Sequence, residues 1–211
     1  MEVIRIVGGP VLANCYIVKF NEEAIIIDPC VNLLTIKKKI GDFKLDFIII
    51  THGHYDHFCY LDEIVNYYNV PIYLAKKAKE KLEDEYKNCS LLLGYPYRES
   101  IKDEQYHYVN DYEKAEIEGS HITFIHTPGH TDCSICIRID NYFFSGDTIF
   151  CDGIGRCDLY SGNEAIMRNT LKEMKKYFEN KCPQDMIVYP GHEDEANVNY
   201  ILKNNHYFSA Y

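Results

Sequence analysis

Residues 51–57, THGHYDH, place three histidines and one aspartate in seven consecutive positions, directly after the apolar run DFIII. Burying a single unpaired imidazole or carboxylate costs several kcal/mol. A cluster of four beside a buried strand therefore calls for bulk water or for something that binds all four. A lone histidine is ordinarily solvated, but three within six residues are hard to explain that way. The pattern recurs three times downstream. HTPGHT sets His130 after a Pro-Gly turn, FFSGDT ends an apolar run on Asp147, and VYPGHE sets His192 after a second Pro-Gly turn. With His52, His54, Asp56 and His57, these make seven titratable groups at four strand ends, where loops meet and sites form. Seven nitrogen and oxygen ligands exceed the four that one zinc takes. They suit two adjacent divalent ions sharing a bridging carboxylate and a bridging water. Neutral imidazole and carboxylate favour zinc, iron, manganese or cobalt over a metal that needs soft thiolate ligands. His52 and His54, two apart, can project the same way from an extended loop, while Asp56 and His57 lie where the chain turns into a helix and can face a second ion.

The elements that must carry these groups are legible in part. Residues 2–7, 11–19, 24–27 and 47–50 read as strands, and residues 32–40 as a short helix stopped by Gly41. Phe58, Leu61, Ile64, Val65 and Tyr68 recur at helical spacing. Residues 71–75 form another strand and residues 76–87 a charged helix. Residues 88–103 fit neither period and read as a long excursion, a place where lids and binding loops occur. Strands follow at 112–118, 121–127, 134–139 and 142–146, then a helix over 164–178, a strand at 186–190 and a helical tail. Two runs of strands, each with helices, predict two sheets with helices outside them. AIIIDP and FFSGDT, both apolar strands ending on aspartate, hint at an internal duplication.

Composition bounds the function. The 211 residues, 46% of them hydrophobic, can fill a substantial core, and no linker divides them. The formal net charge of −10 argues against a nucleic-acid partner, which would favour a basic excess. No apolar run approaches the roughly 20 residues of a membrane span. Nine scattered cysteines and a start, MEVIRIVGG, without signal-peptide character predict a reduced, cytoplasmic protein. Cys133 and Cys136 have metal-like spacing, but on an alternating strand they point to opposite faces.

Taken together, THGHYDH, HTPGHT, SGDTIF followed by GIGRCD, and YPGHE resemble the metallo-β-lactamase superfamily, and within it the glyoxalase II-like branch. The matches span residues 51–193, and AIIIDP extends them towards the start. The resemblance implies an α/β fold, a four-layer αβ/βα sandwich with the metals at one edge of the two sheets. It implies two divalent metal ions, zinc first and iron or manganese as alternatives. His52, His54 and His130 would bind one ion, Asp56, His57 and His192 the other, and Asp147 would bridge them. Asp28 would be structural or would support a ligand from behind. The chemistry implied is attack of a bridging hydroxide on a carbonyl, with Asp56 accepting or steering a proton. A thiolate leaves readily, so a thioester such as a hydroxyacyl-glutathione is the expected small-molecule substrate.

Residues 1–211 then form a single hydrolase domain without the basic helical C-terminal extension of full-length glyoxalase II, since after His192 the stretch NVNYILKNNHYFSAY holds only one cation, Lys203. Arg156 in GIGRCD is expected to contact substrate, and Tyr95 or Tyr97 to line the site from the excursion. His126 is a candidate support for a ligand loop; His107, His121 and His206 have no assigned role. The rival readings are an iron-dependent persulfide dioxygenase using His52, His130 and Asp147, a lactonase, and a catalytically silent metal-binding protein. The acidic charge disfavours RNA-processing relatives of the same superfamily.

Overall fold

The computed structural model of the chain describes residues 1–209. Its first sheet has six strands in chain order: β1 (Glu2–Gly8), β2 (Ala13–Lys19), β3 (Glu23–Ile27), β4 (Lys44–Ile49), β5 (Ile72–Ala75) and β6 (Tyr106–Val109). The second runs in the reverse spatial sense from β12 (Ala196–Asn197) through β11 (Ile187–Pro190), β10 (Tyr142–Gly146), β9 (Ile135–Ile139) and β8 (Ser120–His126) to β7 (Lys114–Ile117). Residues 24–27 and 47–49 are apolar without alternation because β3 and β4 pair in parallel at the centre of their sheet and are covered on both faces. In the second sheet the side chains alternate. Ile135, Ile137, Ile139 and Phe144 face the core between the sheets, whereas Cys136 and Phe143 face the helices outside.

Helices α1 (Leu33–Ile40), α2 (Tyr55–Phe58), α3 (Leu61–Tyr68) and α4 (Lys79–Leu82) belong to the first half, and α5 (Glu164–Lys181), α6 (Val198–Asn204) and α7 (His206–Ser209) to the second. α1 begins at Asn32, whose side chain accepts from the Thr35 N–H at 2.9 Å, and ends at Gly41. α5 buries Met167, Leu171, Met174 and Phe178, a stripe spaced by three and four residues, in a second core with Ile125, Cys136, Phe143 and Val188. The layers are therefore helices, sheet, sheet, helices, as the αβ/βα expectation required. None of the described helices is long and apolar enough to cross a membrane.

The suggested duplication has a counterpart in the pairing. β3 runs antiparallel to β2 and parallel to β4, and β10 runs antiparallel to β9 and parallel to β11. Three expectations need correction. Residues 76–87 form no continuous helix: a short 3₁₀ turn and the single turn of α4 are followed by a bend, where the Asp84 carboxylate accepts from the N–H groups of Tyr86 and Lys87. The helical pattern over 58–68 is split at Cys59 and Tyr60, with α2 as a separate turn. β6 was not anticipated; YHYV is an edge strand whose half-exposed pattern is short and broken by a histidine.

Truncating Leu171 in the α5 stripe to alanine should lower the free energy of unfolding by about 2–5 kcal/mol through lost burial and a residual cavity. Urea denaturation checks this; a loss under about 1 kcal/mol would show that α5 is not packed as described.

Candidate metal centre

All seven groups come together at one edge of the sandwich. His52, His54, Asp56 and His57 follow β4 in the first sheet, while His130, Asp147 and His192 follow β8, β10 and β11 in the second. Backbone and side-chain bonds fasten the two edges to each other. Asn14 of β2 donates its N–H to the Gly191 carbonyl at 2.7 Å and its side-chain amide to the Pro190 carbonyl at 2.9 Å. The Tyr16 hydroxyl donates to the same Pro190 carbonyl at 2.6 Å, and the Ile135 N–H donates to the Thr51 carbonyl at 2.9 Å.

The first group is a triangle of ring nitrogens. His130 Nε2 lies 2.9 Å from His54 Nδ1 and 3.3 Å from His52 Nε2, and the latter two are 3.1 Å apart. Nitrogens at about 2.0–2.1 Å from a tetrahedral zinc are separated by about 3.3 Å, so the triangle has nearly the size such an ion requires. The second group joins His57 Nε2, Asp56 Oδ2 and His192 Nε2, with Asp56 3.3 Å from His57 and 3.2 Å from His192. Asp147 sits between the groups. Its Oδ2 is 3.5 Å from both His130 Nε2 and His192 Nε2, and its Oδ1 is 3.4 Å from His57 Nε2.

Neighbours behind the rings decide which nitrogens are free. The Asp28 carboxylate accepts from the Thr51 N–H at 2.8 Å, from the Thr51 hydroxyl at 2.6 Å and from His57 Nδ1 at 2.9 Å. Because the Thr51 hydroxyl gives its proton to Asp28, it accepts from His52 Nδ1 at 3.0 Å. His130 Nδ1 donates to the Arg156 carbonyl at 2.7 Å. His52 and His130 therefore each carry their proton on Nδ1 and present a lone pair at Nε2, while the Nδ1–H of His57 is held by Asp28 and its Nε2 faces Asp56 and Asp147. His57 Nε2 and Asp147 Oδ1 are buried and have no hydrogen-bond partner. Two orphaned buried donor atoms 3.4 Å apart fit a shared cation and are otherwise costly.

The electrostatics agree with two unlike halves. Burial pushes His52 well below its ordinary value, His54 down to about 3 and His130 below its ordinary value, so the first trio is neutral. Burial also opposes a charge on His57, but Asp147, Asp56 and Asp28 outweigh it and hold that ring well above its usual range. His192 is raised as well: burial is overcome by the bond to Asp56 and by the charge of Asp147. Asp56 and Asp147 are held well below ordinary carboxylates because His57, with His192 or His130, outweighs their burial.

A cavity of about 440 Å³ opens on the centre, reached by His54, Asp56, His130, Asp147 and His192. A larger one of about 660 Å³, behind Ile154–Arg156, contains none of the seven groups. Arg156 lines both, but its guanidinium is engaged with Asp158 through two contacts of 2.7 and 2.8 Å. Tyr95 lies beside a separate depression with Gly9, Pro10 and Tyr60, stacked over Tyr55. Tyr97 packs against Tyr55 and Phe58. From the excursion it is Cys89, Leu92 and Leu93 that reach the cavity; the two leucines belong to the run LLL, which is their only sequence signal. His126 bonds the Val109 carbonyl at 3.2 Å, and His107 bonds Glu113 at 2.9 Å. Cys133 and Cys136 lie in different cores, and all nine cysteines are free thiols.

Gly191 explains one half of the Pro-Gly turn before His192. A Cβ there would stand 2.1 Å from Asp147 Oδ1 and 2.8 Å from the His57 ring, so only glycine lets the chain pass beside the Asp147 carboxylate.

Residues 8–192 match the family model described as the metallo-beta-lactamase superfamily. The chain is 30% identical over 199 residues to the probable metallo-hydrolase YqgX of Bacillus subtilis (strain 168), covering 92% of this chain and 91% of that protein. The crystal structure of BLEG-1, a B3 metallo-beta-lactamase, superposes with a TM-score of 0.86 at 26% identity, over 99% of this chain and 100% of that one. TTHA1623, crystallised in a di-iron-bound form, shares the fold with a TM-score of 0.81 at 22% identity, over 96% of this chain and 98% of its own.

Gly191→Ala should leave the circular dichroism spectrum unchanged while at least halving bound metal, measured by elemental analysis; full metal content would show that Asp147 is not shared. Without metal, His54 stays neutral in the fold down to pH about 3, whereas the unfolded chain binds that proton near 6.5. The unfolded state thus gains protons first, and stability falls as pH drops from 6.5 towards 3, by at most about 1.4 kcal/mol per pH unit for this group. His54→Asn should flatten the urea-midpoint profile of metal-free protein over that window, and an unchanged profile would contradict the burial described.

Proposed function

We propose that this chain, which belongs to the metallo-beta-lactamase superfamily, acts as one hydrolase domain of the glyoxalase II-like kind, holding two divalent metal ions, zinc foremost, and cleaving a thioester, the class that includes hydroxyacyl-glutathione. The observation that carries the reading is Asp147: one buried carboxylate borders both a neutral three-histidine group and a second group containing Asp56, at the floor of an open cavity. His52, His54 and His130 would hold one ion, and Asp56, His57 and His192 the other, with Asp147 common to both. Bound divalent ions supply Lewis acidity, activating water near neutral pH and polarising a carbonyl.

The chain's own groups supply the rest. Thr51 and the Arg156 carbonyl hold protons on the Nδ1 atoms of His52 and His130, which keeps their facing nitrogens unprotonated, and Asp28 holds the Nδ1–H of His57 so that its Nε2 is aimed at Asp56 and Asp147. Asp56, ionised and lining the cavity, is placed to take a proton from attacking water. Apart from the metal-ligand candidates, only Arg156 and Cys89 titrate among the described residues that line the cavity, and neither is a good general acid. A thiolate, whose conjugate acid has a pKa near about 8.5, leaves without one. An amine leaving group would need that proton, which favours a thioester over an amide.

Protein purified without added metal should contain about two ions per chain and hydrolyse simple acyl thioesters. Asp147→Asn should lower both metal content and kcat/KM, the latter by at least about a hundredfold. One iron per chain with oxygen consumption on a persulfide would favour the dioxygenase instead, and undiminished turnover in Asp147→Asn would overturn the shared-carboxylate mechanism.

A further inference from the structure

The geometry points to an unsubstituted apolar acyl chain as the group that fills the cavity above the metal centre; this rests on the thioester reading and adds the substrate class. Three separate segments contribute its wall. Val11 comes from the turn between β1 and β2, Leu92 and Leu93 from the excursion, and Phe150, Ile154 and Leu159 from the segment after Asp147. Among the described residues that line it, none carries a hydroxyl or a carboxamide. A hydroxyacyl group would therefore bring a polar substituent with no side chain outside the ligand set, other than Arg156 and Cys89, to receive it. Arg156 is already paired in bidentate fashion with Asp158. Burial raises the Cys89 thiol, so it lines the wall as a neutral group.

The wall is also exposed where a solvated protein would bury it: Leu92 is 72% and Val11 44% accessible. Apolar side chains converging from distant segments over a few polar groups are what a ligand pocket looks like. The excursion holds its residues in place rather than leaving them loose. The Asn88 side chain donates to the Tyr97 carbonyl at 2.9 Å and accepts from the Ser90 N–H at 2.9 Å, and the Tyr55 N–H donates to the Asn88 carbonyl at 2.9 Å. Leu92 and Leu93 are thus presented on a fixed turn, which lowers the ordering cost of binding a chain against them. The reaction is ordinary hydrolysis: water adds its oxygen to the acyl carbon, the C–S bond breaks, and the protons of water end on the carboxylic acid and the thiol.

The test compares acetyl, butyryl, hexanoyl and octanoyl thioesters of N-acetylcysteamine with the metal-loaded protein, alongside calorimetry of the matching linear carboxylates. The expected result is a gain in kcat/KM, and a parallel tightening of carboxylate binding, of about two- to fourfold per methylene. Leu92→Ser, at an exposed position, should reduce the octanoyl-to-acetyl preference by about five- to tenfold. Cleavage that is flat with chain length, together with flat carboxylate binding, overturns the acyl pocket and leaves the hydrolase standing. Chain-length-dependent binding without any thioester cleavage keeps the acyl pocket and removes the thioester reading. A preference unchanged in Leu92→Ser overturns the placement of the chain in this cavity.

Discussion

The Asp28 carboxylate is the contact on which the centre depends. It ends β3 with a left-handed backbone, φ 53°, unusual for a residue with a side chain. That conformation aims both oxygens at the next strand end, where they accept three bonds from Thr51 and His57. One bond goes directly to a ligand candidate; another passes through the Thr51 hydroxyl to His52. A single residue outside the centre thus orients one ring in each candidate ligand group and, through Thr51, sets the tautomer of His52. Imidazoles free to rotate or to move their protons would offer a lone pair only part of the time, and metal affinity would fall accordingly. The cost of the backbone strain is offset by three charge-assisted bonds in a buried setting.

The two halves use one strand plan for different purposes. β3 and β10 share one pairing pattern, antiparallel to the preceding strand and parallel to the next, and both run into an aspartate. Asp28 turns away from the cavity to brace the rings, whereas Asp147 turns towards it and stands between the groups. Both parallel ladders shift register, that of β3 with β4 at its start, between Ala24 and Ile25. The pairing of β10 with β11 shifts register between Phe144 and Gly146, and Gly146 takes a positive φ just before Asp147. A local irregularity of this kind re-aims the side chain that follows it.

Much of the centre was legible in the sequence because its chemistry is concentrated in short motifs. The seven titratable groups stand at the ends of apolar runs, and burial at a strand end is a strong constraint on a charged side chain. Their convergence was harder to see, since it depends on bonds such as Asn14 to Pro190 that join residues far apart in the chain. The core-facing strands and α5 were readable from period alone. β6 was not, because four residues at a sheet edge, buried only at Tyr106 and Val109, carry almost no pattern, and the charged run over 76–87 read as helix because Asp84 ends it through a side-chain bond rather than a glycine or proline. The cavity wall was obscured for a related reason. Leucines in an aperiodic stretch carry no pattern, and the sequence points instead to Tyr95 and Tyr97, while the structure brings Leu92 and Leu93 to the opening.

The fastening of the two sheets at this edge has a mechanical side. Apart from bonds such as Tyr16 to Pro190 and Ile135 to Thr51, the two layers meet mainly through apolar side chains, which resist separation far better than sliding. Ions held between groups that follow β4 and groups that follow β8, β10 and β11 would act as a clasp across that slip plane. Loading would then stiffen the sandwich against shear, and the open edge would breathe most freely in the ion-free molecule.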